Sequence, residues 1–381
     1  MCLIFPHRFA ISMPISTLLR ERFAAIDQHF HQVVIALWQG PGWNAELALP
    51  YEALDHQGAV LPVTRYRAMA CARQLYVFTT LIGDARHPYA PERAAALFRS
   101  LNKHFHDAEH GGWFYSVDAQ GAPLETQKDL YTHAFIIFAC AHYFRVSADK
   151  LAEATLDAAL EVVARHFACG PLYHAALTRN WQDAGKGALQ NPLMHLTEAL
   201  LAVLAARTDQ PTEQRLLALC DGMAAHFIDA NGLLMEKPVG ALDNWFEPGH
   251  QFEWLYLLET SALLSGHPLR DALRKAFAFS ERQGLAASGA VLAALDTTGK
   301  VLDANQRIWA QTEHLRALTL APVDQTRLLN ALSGFAERYL HASGWNESLD
   351  ATGAINRLDL PSTTAYHLAT GYAAVSQYLA D

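Results

Sequence analysis

The stretch Leu349-Asp350-Ala351-Thr352-Gly353 decides the fold, because its pattern of a hydrophobic residue, Asp, two variable residues and Gly recurs along the chain. The other copies are Leu54–Gly58, Val117–Gly121, Leu295–Gly299 and, more loosely, Asp229–Gly232. Asp followed by Gly three residues later is a turn signal, since Asp accepts hydrogen bonds from nearby backbone N–H groups and Gly tolerates a positive φ. Each copy therefore predicts the turn of a short β-hairpin.

Helical periodicity fills the chain between these turns. Twelve apolar-patterned segments are predicted, at about residues 15–38, 63–83, 90–107, 128–146, 148–168, 191–207, 211–229, 249–265, 268–284, 306–320, 323–342 and 361–379. Proline near several of the starts, at Pro91, Pro211 and Pro268, agrees with helix entrances. Helices and hairpin loops thus alternate with a period of about 55–65 residues, which indicates a repeat architecture.

Six helix pairs are enough to close a ring, whereas a linear solenoid would need polar capping repeats that the sequence lacks. We therefore predict an all-α fold, a single-domain (α/α)6 barrel with short β-hairpins in the loops between helices. Residues 15–381 are predicted to form this domain, because no linker rich in Pro, Gly or Ser divides them. Residues 1–14 are predicted to be a flexible N-terminal extension, with Met13 as an alternative start.

Composition excludes several classes of protein. Of 381 residues, 51% are hydrophobic and 18% charged, with a net charge of −9, which is typical of a globular protein with a large core. An acidic chain without Lys/Arg clusters argues against nucleic acid and anionic membranes as partners. The sequence has no apolar run of membrane-spanning length and no continuous signal-peptide core, so a cytoplasmic location is predicted. A homodimer is left open.

The five cysteines do not indicate a disulfide framework or a zinc site, because they are widely spaced and form no C-x-x-C motif. Three of them lie in apolar helical patterns, where cysteine usually behaves as a small buried hydrophobic residue.

The strongest candidate for chemistry is the stretch Glu247–Trp254. Pro248-Gly249 predicts a helix start, so that His250 and Glu253 share one face of the first turn. A helix entrance with an imidazole, a carboxylate and free backbone N–H groups suits acid–base chemistry. The structural alternative is that His250 only caps the helix.

Other inner helices of such a barrel should begin at the same mouth, and polar residues mark their predicted starts. These residues are Arg73, Asp129 with His133, His195 with Glu198, the segment Trp309–Glu313, and Tyr366-His367. Each member has a structural alternative, such as a salt-bridging Arg73 or a core His133. The His-x-x-Glu spacing is the reverse of the Glu-x-x-His of di-iron bundles, and no metal is predicted. Paired imidazoles with a pKa near neutrality favour proton transfer instead.

Several of these motifs together resemble the N-acylglucosamine 2-epimerase superfamily, from about residue 35 to the end of the chain. The matching segments are Ala72-Arg73-Gln74, Asn191–Ala199, Pro248–Trp254, Trp309–Glu313 and Tyr366-His367. The resemblance implies an (α/α)6 barrel that isomerises or epimerises a sugar at C2, without a metal or another cofactor.

The resemblance also implies roles for individual residues. His250 and His367 match the two catalytic histidines, and Arg73 matches the arginine near the O1 and O2 oxygens of the sugar. Glu253 is expected either to orient His250 or to contact sugar hydroxyls. The residues predicted to bind substrate are His195, Glu198, Glu253, Gln311, Glu313, Tyr131 and Trp309.

The predicted reaction is the interconversion of an unphosphorylated aldose and ketose of the mannose/fructose type, with a monosaccharide as the partner. The Tyr366-His367 segment is closer to the mannose isomerase branch, and the sequence has no phosphate cradle. A 2-epimerase of the N-acylglucosamine or glucose/mannose type is the first alternative. An (α/α)6 glycoside hydrolase using two of Glu198, Glu253 and Glu313 is the second, and a non-catalytic sugar-binding toroid is the third.

Overall fold

The computed structural model describes residues 14–381. The predicted N-terminal extension and the alternative start at Met13 therefore lie outside the described residues, except for Pro14. No helix in the described range is both long and apolar enough to cross a membrane.

Twelve helices, counted within residues 14–381, form two concentric rings. The outer helices are α1 (Ile15–His29, continued by the π-helical turn Phe30–Val34 and by Ile35–Gln39), α3 (Ala90–Ser100, continued by Leu101–Phe105), α5 (Lys150–Val162, continued by Val163–Phe167), α7 (Gln210–His226), α9 (Leu269–Gln283) and α11 (Gln325–Tyr339). The inner helices are α2 (Ala68–Thr80), α4 (Leu130–Ser147), α6 (Gln190–Ala206), α8 (Pro248–Glu259), α10 (Ile308–Leu318) and α12 (Thr364–Ala380). Helix α12 packs against α2, which closes the ring and confirms the predicted (α/α)6 barrel.

The two rings follow from two kinds of helix sequence. An outer helix buries one stripe, as α9 does with residues three to four positions apart, Leu269, Leu273, Ala276 and Ser280. An inner helix such as α4 is packed on most sides and is apolar almost throughout. The main hydrophobic core fills the space between the rings. Asp129, Asp149, Asp209 and Asp324 each cap a helix start by accepting a backbone N–H, a contact that typically contributes about 1 kcal/mol.

The predicted helices are present, but two of them are shorter than expected. The segment predicted at 63–83 begins its helix only at Ala68, because Tyr66–Arg67 pairs as a strand with Ser116–Val117. The segment predicted at 249–265 ends at Glu259, where the hydroxyl of Thr260 donates to the Tyr256 carbonyl and turns follow.

Eighteen strands of two or three residues occupy the loops of the described chain. They are Trp43–Asn44, Leu49–Pro50, Ala53–Leu54, Tyr66–Arg67, Ser116–Val117, Pro123–Glu125, Lys128–Asp129, Ala168–Cys169, Leu172–Tyr173, Ala176–Leu177, Ala294–Leu295, Val301–Asp303, Gln306–Arg307, Leu340–His341, Gly344–Trp345, Ser348–Leu349, Ile355–Arg357 and Leu360–Pro361. The hydrophobic-Asp-x-x-Gly turns join three antiparallel hairpins, and the Leu54 copy forms a single bridge to Val60.

The four full copies of the turn have the same geometry. In each, Asp Oδ1 accepts the backbone N–H groups two and four residues later. The Gly that follows has φ between 84° and 91°, which only Gly adopts without strain. Asp229–Gly232 has the same hydrogen bonds but lies in the loop directly after outer helix α7, so it belongs to a different position of the repeat.

Strand pairs also join neighbouring repeats around the ring. The residues before an inner helix pair with the hairpin of the next repeat, as Lys128–Asp129 does with Ala176–Leu177. The last of these pairs joins Leu360–Pro361 to Ala53–Leu54, near the beginning of the barrel. The loops therefore close the same ring as the helices, at the end where the inner helices begin.

Candidate active site

The chain enters each inner helix at an equivalent position relative to the hairpin beside it. The backbone N–H of Ala68, Leu130, Gln190, Ile308 and Ser362 each donates to the adjacent hairpin, and Pro248 occupies the same position without an N–H. Counted from these residues, the sixth positions are Arg73, Phe135, His195, Glu253, Glu313 and His367. Several consecutive members lie close together, as Arg73 over the Phe135 ring (4.2 Å) and His367 Nδ1 on Glu313 (3.0 Å) show. One layer of mostly polar side chains therefore crosses the centre of the ring.

A cavity of about 170 Å³ lies above this layer, at the end where the inner helices begin. Its lining comprises Arg73, Tyr131, Asn191, His195, Glu247, His250, Glu253, Arg307, Trp309, Glu347, Thr363, Thr364 and His367. The volume is below the ~300–1,000 Å³ of pockets that take drug-sized ligands, so a small polar ligand fits best.

His250, the third residue of α8, has a carboxylate partner that the sequence did not suggest. Its Nδ1–H donates to Glu236 Oε1 at 2.7 Å, which leaves Nε2 for the cavity. Burial alone would lower the pKa of His250, but the charge and hydrogen bond of Glu236, together with the charge of Glu247, outweigh it and raise the pKa above its ordinary value. His250 is therefore suited to carry a proton.

His367, on α12, has the opposite electrostatic environment. Its Nδ1–H donates to Glu313 Oε1 at 3.0 Å, which again leaves Nε2 for the cavity. Burial and the positive charge of Arg73 hold the pKa of His367 well below its ordinary value. His367 is neutral near pH 7 and is suited to accept a proton. Trp309 lies between the two imidazoles, with ring centroids 5.0 Å from His250 and 5.7 Å from His367.

Arg73 is a buried cation at the floor of the cavity. One guanidinium nitrogen donates to Tyr131 Oη at 2.6 Å, and the group lies over the Phe135 and Tyr366 rings. Among the described residues it has no carboxylate within ion-pair distance. A charge that is not neutralised by the protein is available to an oxyanion of the substrate.

Beneath the cavity lies a buried network of acids around Arg316. Arg316 donates to Glu313 Oε2 at 2.7 Å and lies 3.8 Å from Glu198 and 3.9 Å from Glu253. Burial would raise the pKa of Glu198, but hydrogen bonds from His195 and the charge of Arg316 lower it to about 2. Neither oxygen of Glu253 has a hydrogen-bond partner among residues 14–381, and burial near Glu313 raises its pKa well above the ordinary value. This environment favours the neutral form of Glu253.

Seven of the ten predicted site residues line the cavity, and three do not. The seven are Arg73, Tyr131, His195, His250, Glu253, Trp309 and His367. Glu198 and Glu313 lie in the network below and hold His195 and His367 in place. Gln311 lies outside the lining, because its amide is fully used by the backbone of Val291 and Arg307. The cavity lining therefore does not support the prediction that these three residues bind substrate.

The suggestion that Glu253 orients His250 is also wrong. Glu253 belongs to the sixth-position layer and lies 3.9 Å from His195, whereas the partner of His250 is Glu236. Further lining residues that were not predicted from the sequence are Glu247, Arg307 and Glu347. Glu247 and Arg307 directly precede the starts of α8 and α10, whereas Glu347 lies in the loop between α11 and α12.

Two groups in the site have ligand atoms close enough for a metal ion, namely His195 with Glu198 and Glu253, and His250 with Glu236 and Glu247. Glu198 Oε2 already accepts hydrogen bonds from His195 and from the hydroxyl of Tyr366. Glu236 Oε1 likewise accepts from His250. His195 with Glu198 and His250 with Glu236 thus form hydrogen-bonded pairs, an arrangement typical of acid–base catalysts, whereas the side chains of Glu253 and Glu247 lie outside these pairs.

A family model, N-acylglucosamine 2-epimerase (GlcNAc 2-epimerase), matches residues 50–371. A cellobiose 2-epimerase of Bacteroides fragilis is 24% identical over 81% of this chain and 86% of its own. A D-mannose isomerase of Pseudomonas cannabina pv. alisalensis is 26% identical over 71% of each chain. The structure of a cellobiose 2-epimerase from Bacillus thermoamylovorans superposes with a TM-score of 0.84 and 18% identity, covering 94% of this chain and 100% of that one. The chain belongs to the N-acylglucosamine 2-epimerase family, and it is an enzyme of the epimerase and isomerase class.

Proposed function

We propose that the protein interconverts an unphosphorylated aldose and its ketose, of the mannose/fructose type, by proton transfer through a cis-enediolate. The observation that carries the proposal is the pair of histidines with oppositely shifted pKa values, His250 raised and His367 lowered, facing one small cavity. Environments that move two titratable groups apart assign one as acid and the other as base.

The proposed reaction begins on the open-chain aldose. Nε2 of neutral His367 takes the proton from C2, and the electron pair forms the C1–C2 double bond of the enediolate. Arg73 stabilises the negative charge that develops on O1, and Nε2–H of His250 protonates this oxygen. His367 then returns its proton to C1 while His250 takes the proton of O2, so the ketose forms and both histidines regain their starting states.

The carboxylates behind the histidines have positioning roles. Glu236 and Glu313 accept from the Nδ1–H groups and so keep both Nε2 atoms directed to the sugar. His195, Tyr131 and the neutral acid Glu253 complete the walls, where they are proposed to hold sugar hydroxyls. Trp309 separates the imidazoles and offers an apolar face to the carbon chain.

A 2-epimerase is the second candidate, favoured by one observation. A cleft of about 370 Å³ adjoins the cavity and shares Tyr131 and Asn191 with it. Half-buried Tyr115 and Trp245 line this cleft, and aromatic rings of this kind suit a second sugar unit. A disaccharide epimerised at its reducing end would fill both spaces.

The test is proton NMR of mannose, glucose, fructose, N-acetylmannosamine and cellobiose, each incubated with the protein in D2O. A new ketose from mannose supports the isomerase, and a new C2 epimer, with or without deuterium at C2, supports the epimerase. Absence of any product or exchange from all five sugars contradicts both.

Two variants test the assigned residues. His250→Asn and His367→Asn should each lower kcat by at least about 10²-fold, the usual scale of general acid–base catalysis. His226→Asn, an exposed histidine on α7, serves as the control and should keep the full rate. A glycoside hydrolase would behave differently: Glu253→Gln would abolish turnover, whereas His367→Asn would leave much of it.

A further inference from the structure

Glu347 is a buried acid in the cavity wall that the proposed reaction does not use. It lies in the loop before α12, and its carbonyl accepts the N–H of Ile308 at the start of α10. Its side-chain Oε2 accepts two hydrogen bonds, from Trp345 Nε1–H at 2.9 Å and from the hydroxyl of Thr364 at 2.7 Å. Both of these hydrogen bonds go to Oε2, Oε1 accepts none from residues 14–381, and the residue lines the cavity.

Glu347 has the same position in its repeat as Glu236 has in another. Glu236 and Glu347 both accept the first N–H of an inner helix through their carbonyls, from Gln190 and Ile308. Both side chains also accept a hydrogen bond from the inner helix that follows. The donor is the third residue counted from the equivalent entrance positions Pro248 and Ser362, which is His250 in one repeat and Thr364 in the other. Glu347 is thus the counterpart of Glu236 two repeats away, with a hydroxyl where the other repeat has the imidazole.

The position of its proton follows from the hydrogen bonds. Because Oε2 accepts from two donors, a proton on the neutral acid must sit on Oε1, directed into the cavity. Burial raises the pKa of Glu347 to about 7, so the neutral form is well populated below neutrality. In this form Oε1–H is a donor, and after ionisation the same atom is only an acceptor.

The charged groups around Glu347 are already paired. Arg357 donates to Asp359 at 2.7 and 2.8 Å, and Arg307 lies 3.6 Å from Glu247 and 3.8 Å from Asp303. Burial also raises the pKa of Glu247. On the α12 side, the facing titratable group is His367, which is held neutral. An anionic group on a sugar would therefore meet acids at this wall, because the unpaired cation of the cavity, Arg73, lies at its floor.

We infer that Glu347 is a specificity-determining residue of the proposed sugar site: as a neutral acid it donates a hydrogen bond to a hydroxyl of an uncharged sugar, and as a carboxylate it disfavours sugars that carry a phosphate or carboxylate at that end. This inference rests on the proposed function and adds a named group that selects the substrate class.

The kinetic test compares Glu347→Gln and Glu347→Ala with the unaltered enzyme at pH 6 and pH 8.5, using the sugar that the enzyme turns over. In the unaltered enzyme KM should rise about 3- to 10-fold between these pH values, the scale of one hydrogen bond. Gln keeps a hydrogen-bond donor, so the KM of Glu347→Gln at pH 6 should stay within about 3-fold of that of the unaltered enzyme. This KM should not change between pH 6 and pH 8.5, because Gln does not titrate. Ala should raise KM at pH 6 by about 10-fold with kcat within about 3-fold.

Two results would overturn the inference: an unchanged KM in Glu347→Ala, or a kcat loss of about 10²-fold in Glu347→Gln, which would make Glu347 part of the chemistry. The matched control is Glu52→Gln, since Glu52 has the same register position in another repeat, accepts the N–H of Ser362 and bonds to Arg67. It does not line the cavity and should leave KM unchanged at both pH values.

The discrimination against anionic sugars is tested with mannose 6-phosphate as a competing ligand. It should bind at least about 10-fold more weakly than mannose to the unaltered enzyme at pH 8.5, and Glu347→Gln should reduce that difference, because removing a like charge removes repulsion of this order. Equal discrimination in both proteins contradicts the inference.

A stability measurement makes the outcome independent of turnover. The folded pKa of Glu347 lies above its unfolded value, so the folded state binds more protons between pH 4.5 and about 7, and stability falls as the pH rises through that window. Gln does not titrate. The difference in Tm, that of Glu347→Gln minus that of the unaltered protein, should therefore increase from pH 5 to pH 8. A constant difference in Tm refutes a buried proton on Glu347, whereas a failed proposed function would appear only as absence of turnover.

Discussion

His250 and His367 have the same side chain, but their neighbours give them opposite tendencies to hold a proton. Glu236 lies against His250 and raises its pKa, while Arg73 and burial lower that of His367. Because the acid must be protonated and the base neutral, activity should persist between the two pKa values. It should fall below the low pKa of His367 and above the raised pKa of His250.

Glu236→Gln tests the origin of this difference. Without the carboxylate, the pKa of His250 should fall, so the alkaline limb of kcat/KM should move to lower pH while the acid limb, set by His367, stays in place. The rate at the optimum should drop about 10-fold or more, since His250 is then partly deprotonated and less firmly oriented. The measurement is kcat/KM from pH 5 to pH 9.

Glu52→Gln is again the matched control, because Glu52 has the same register position but pairs with Arg67 outside the cavity. It should leave both limbs unchanged. If Glu236→Gln moved the acid limb instead of the alkaline one, the assignment of acid and base would have to be exchanged.

At the residue scale, the sequence correctly predicted cavity-lining side chains that sit inside inner helices, such as Arg73, His195 and His250. It failed for Glu236, because this residue lies 14 positions before His250 in a loop, and only the closed ring brings the two together. It also failed for Gln311, because the helical pattern does not reveal that its amide is used by the Val291 backbone.

At the scale of a helix, the start of α8 depends on a residue with no side chain. Ala is more favourable than Gly within a helix by about 1 kcal/mol, so Gly249 needs another reason. A Cβ at this position would lie 2.8 Å from Trp309 and 2.9 Å from Ala310. Gly249 therefore lets Trp309 approach α8 closely enough to contact the His250 ring.

Gly249→Ala should displace Trp309 and disturb both histidines that it contacts. We expect a loss of about 1–3 kcal/mol in the free energy of unfolding, typical of overpacking, and a fall of about 10-fold or more in kcat/KM. Urea unfolding and steady-state kinetics measure the two effects. Gly266→Ala is the control, because no atom lies within 4 Å of its Cβ position, and it should change stability by less than about 0.5 kcal/mol. Full activity in Gly249→Ala would contradict this role of Trp309.

The loops show how far a repeat can be recognised from sequence. The Asp-x-x-Gly pattern identified four turns, but a further equivalent turn, Thr178–Trp181, has neither residue. Thr178 Oγ1 accepts the N–H of Gln182, and Trp181 occupies the Gly position with φ 68°. Its indole stacks on His166 and donates to the His110 carbonyl, contacts that compensate for a backbone conformation unfavourable to Trp. Tertiary contacts of this kind leave no pattern in the local sequence.

At the scale of the whole molecule, the barrel is a ring closed between its two ends. Helix α12 packs on α2, Leu360–Pro361 pairs with Ala53–Leu54, and Gln74 Nε2 donates to the Ser362 carbonyl at 2.6 Å. The sixth-position layer includes residues from both ends, Arg73 and His367, so the site is complete only when the ring is closed. A closed ring with one main core is expected to unfold as one unit, in agreement with the predicted single domain.

Three buried cysteines make this expectation measurable. Cys71, Cys140 and Cys220 lie in α2, α4 and α7, and burial raises the pKa of each thiol, so they should resist alkylation in the folded protein. Pulsed alkylation in increasing urea, read by peptide mass, should give one common midpoint for all three. Cys169 is exposed and should react without denaturant, which confirms that the reagent is active. Midpoints that differ among the three would indicate separate folding units.

Gln74→Leu applies the same experiment to a contact that closes the ring. The substitution removes the hydrogen bond to Ser362 and leaves a buried carbonyl without that donor, a loss of about 1–3 kcal/mol. If the ring unfolds as a unit, the midpoints of Cys71, Cys140 and Cys220 should all move to lower urea by the same amount, although Cys220 is on the distant helix α7. If closure were only a local contact, Cys71 would become reactive early while Cys140 and Cys220 kept their midpoints, because α2 alone would separate from α12. Equal shifts would therefore tie the position of His367 to the stability of the entire barrel.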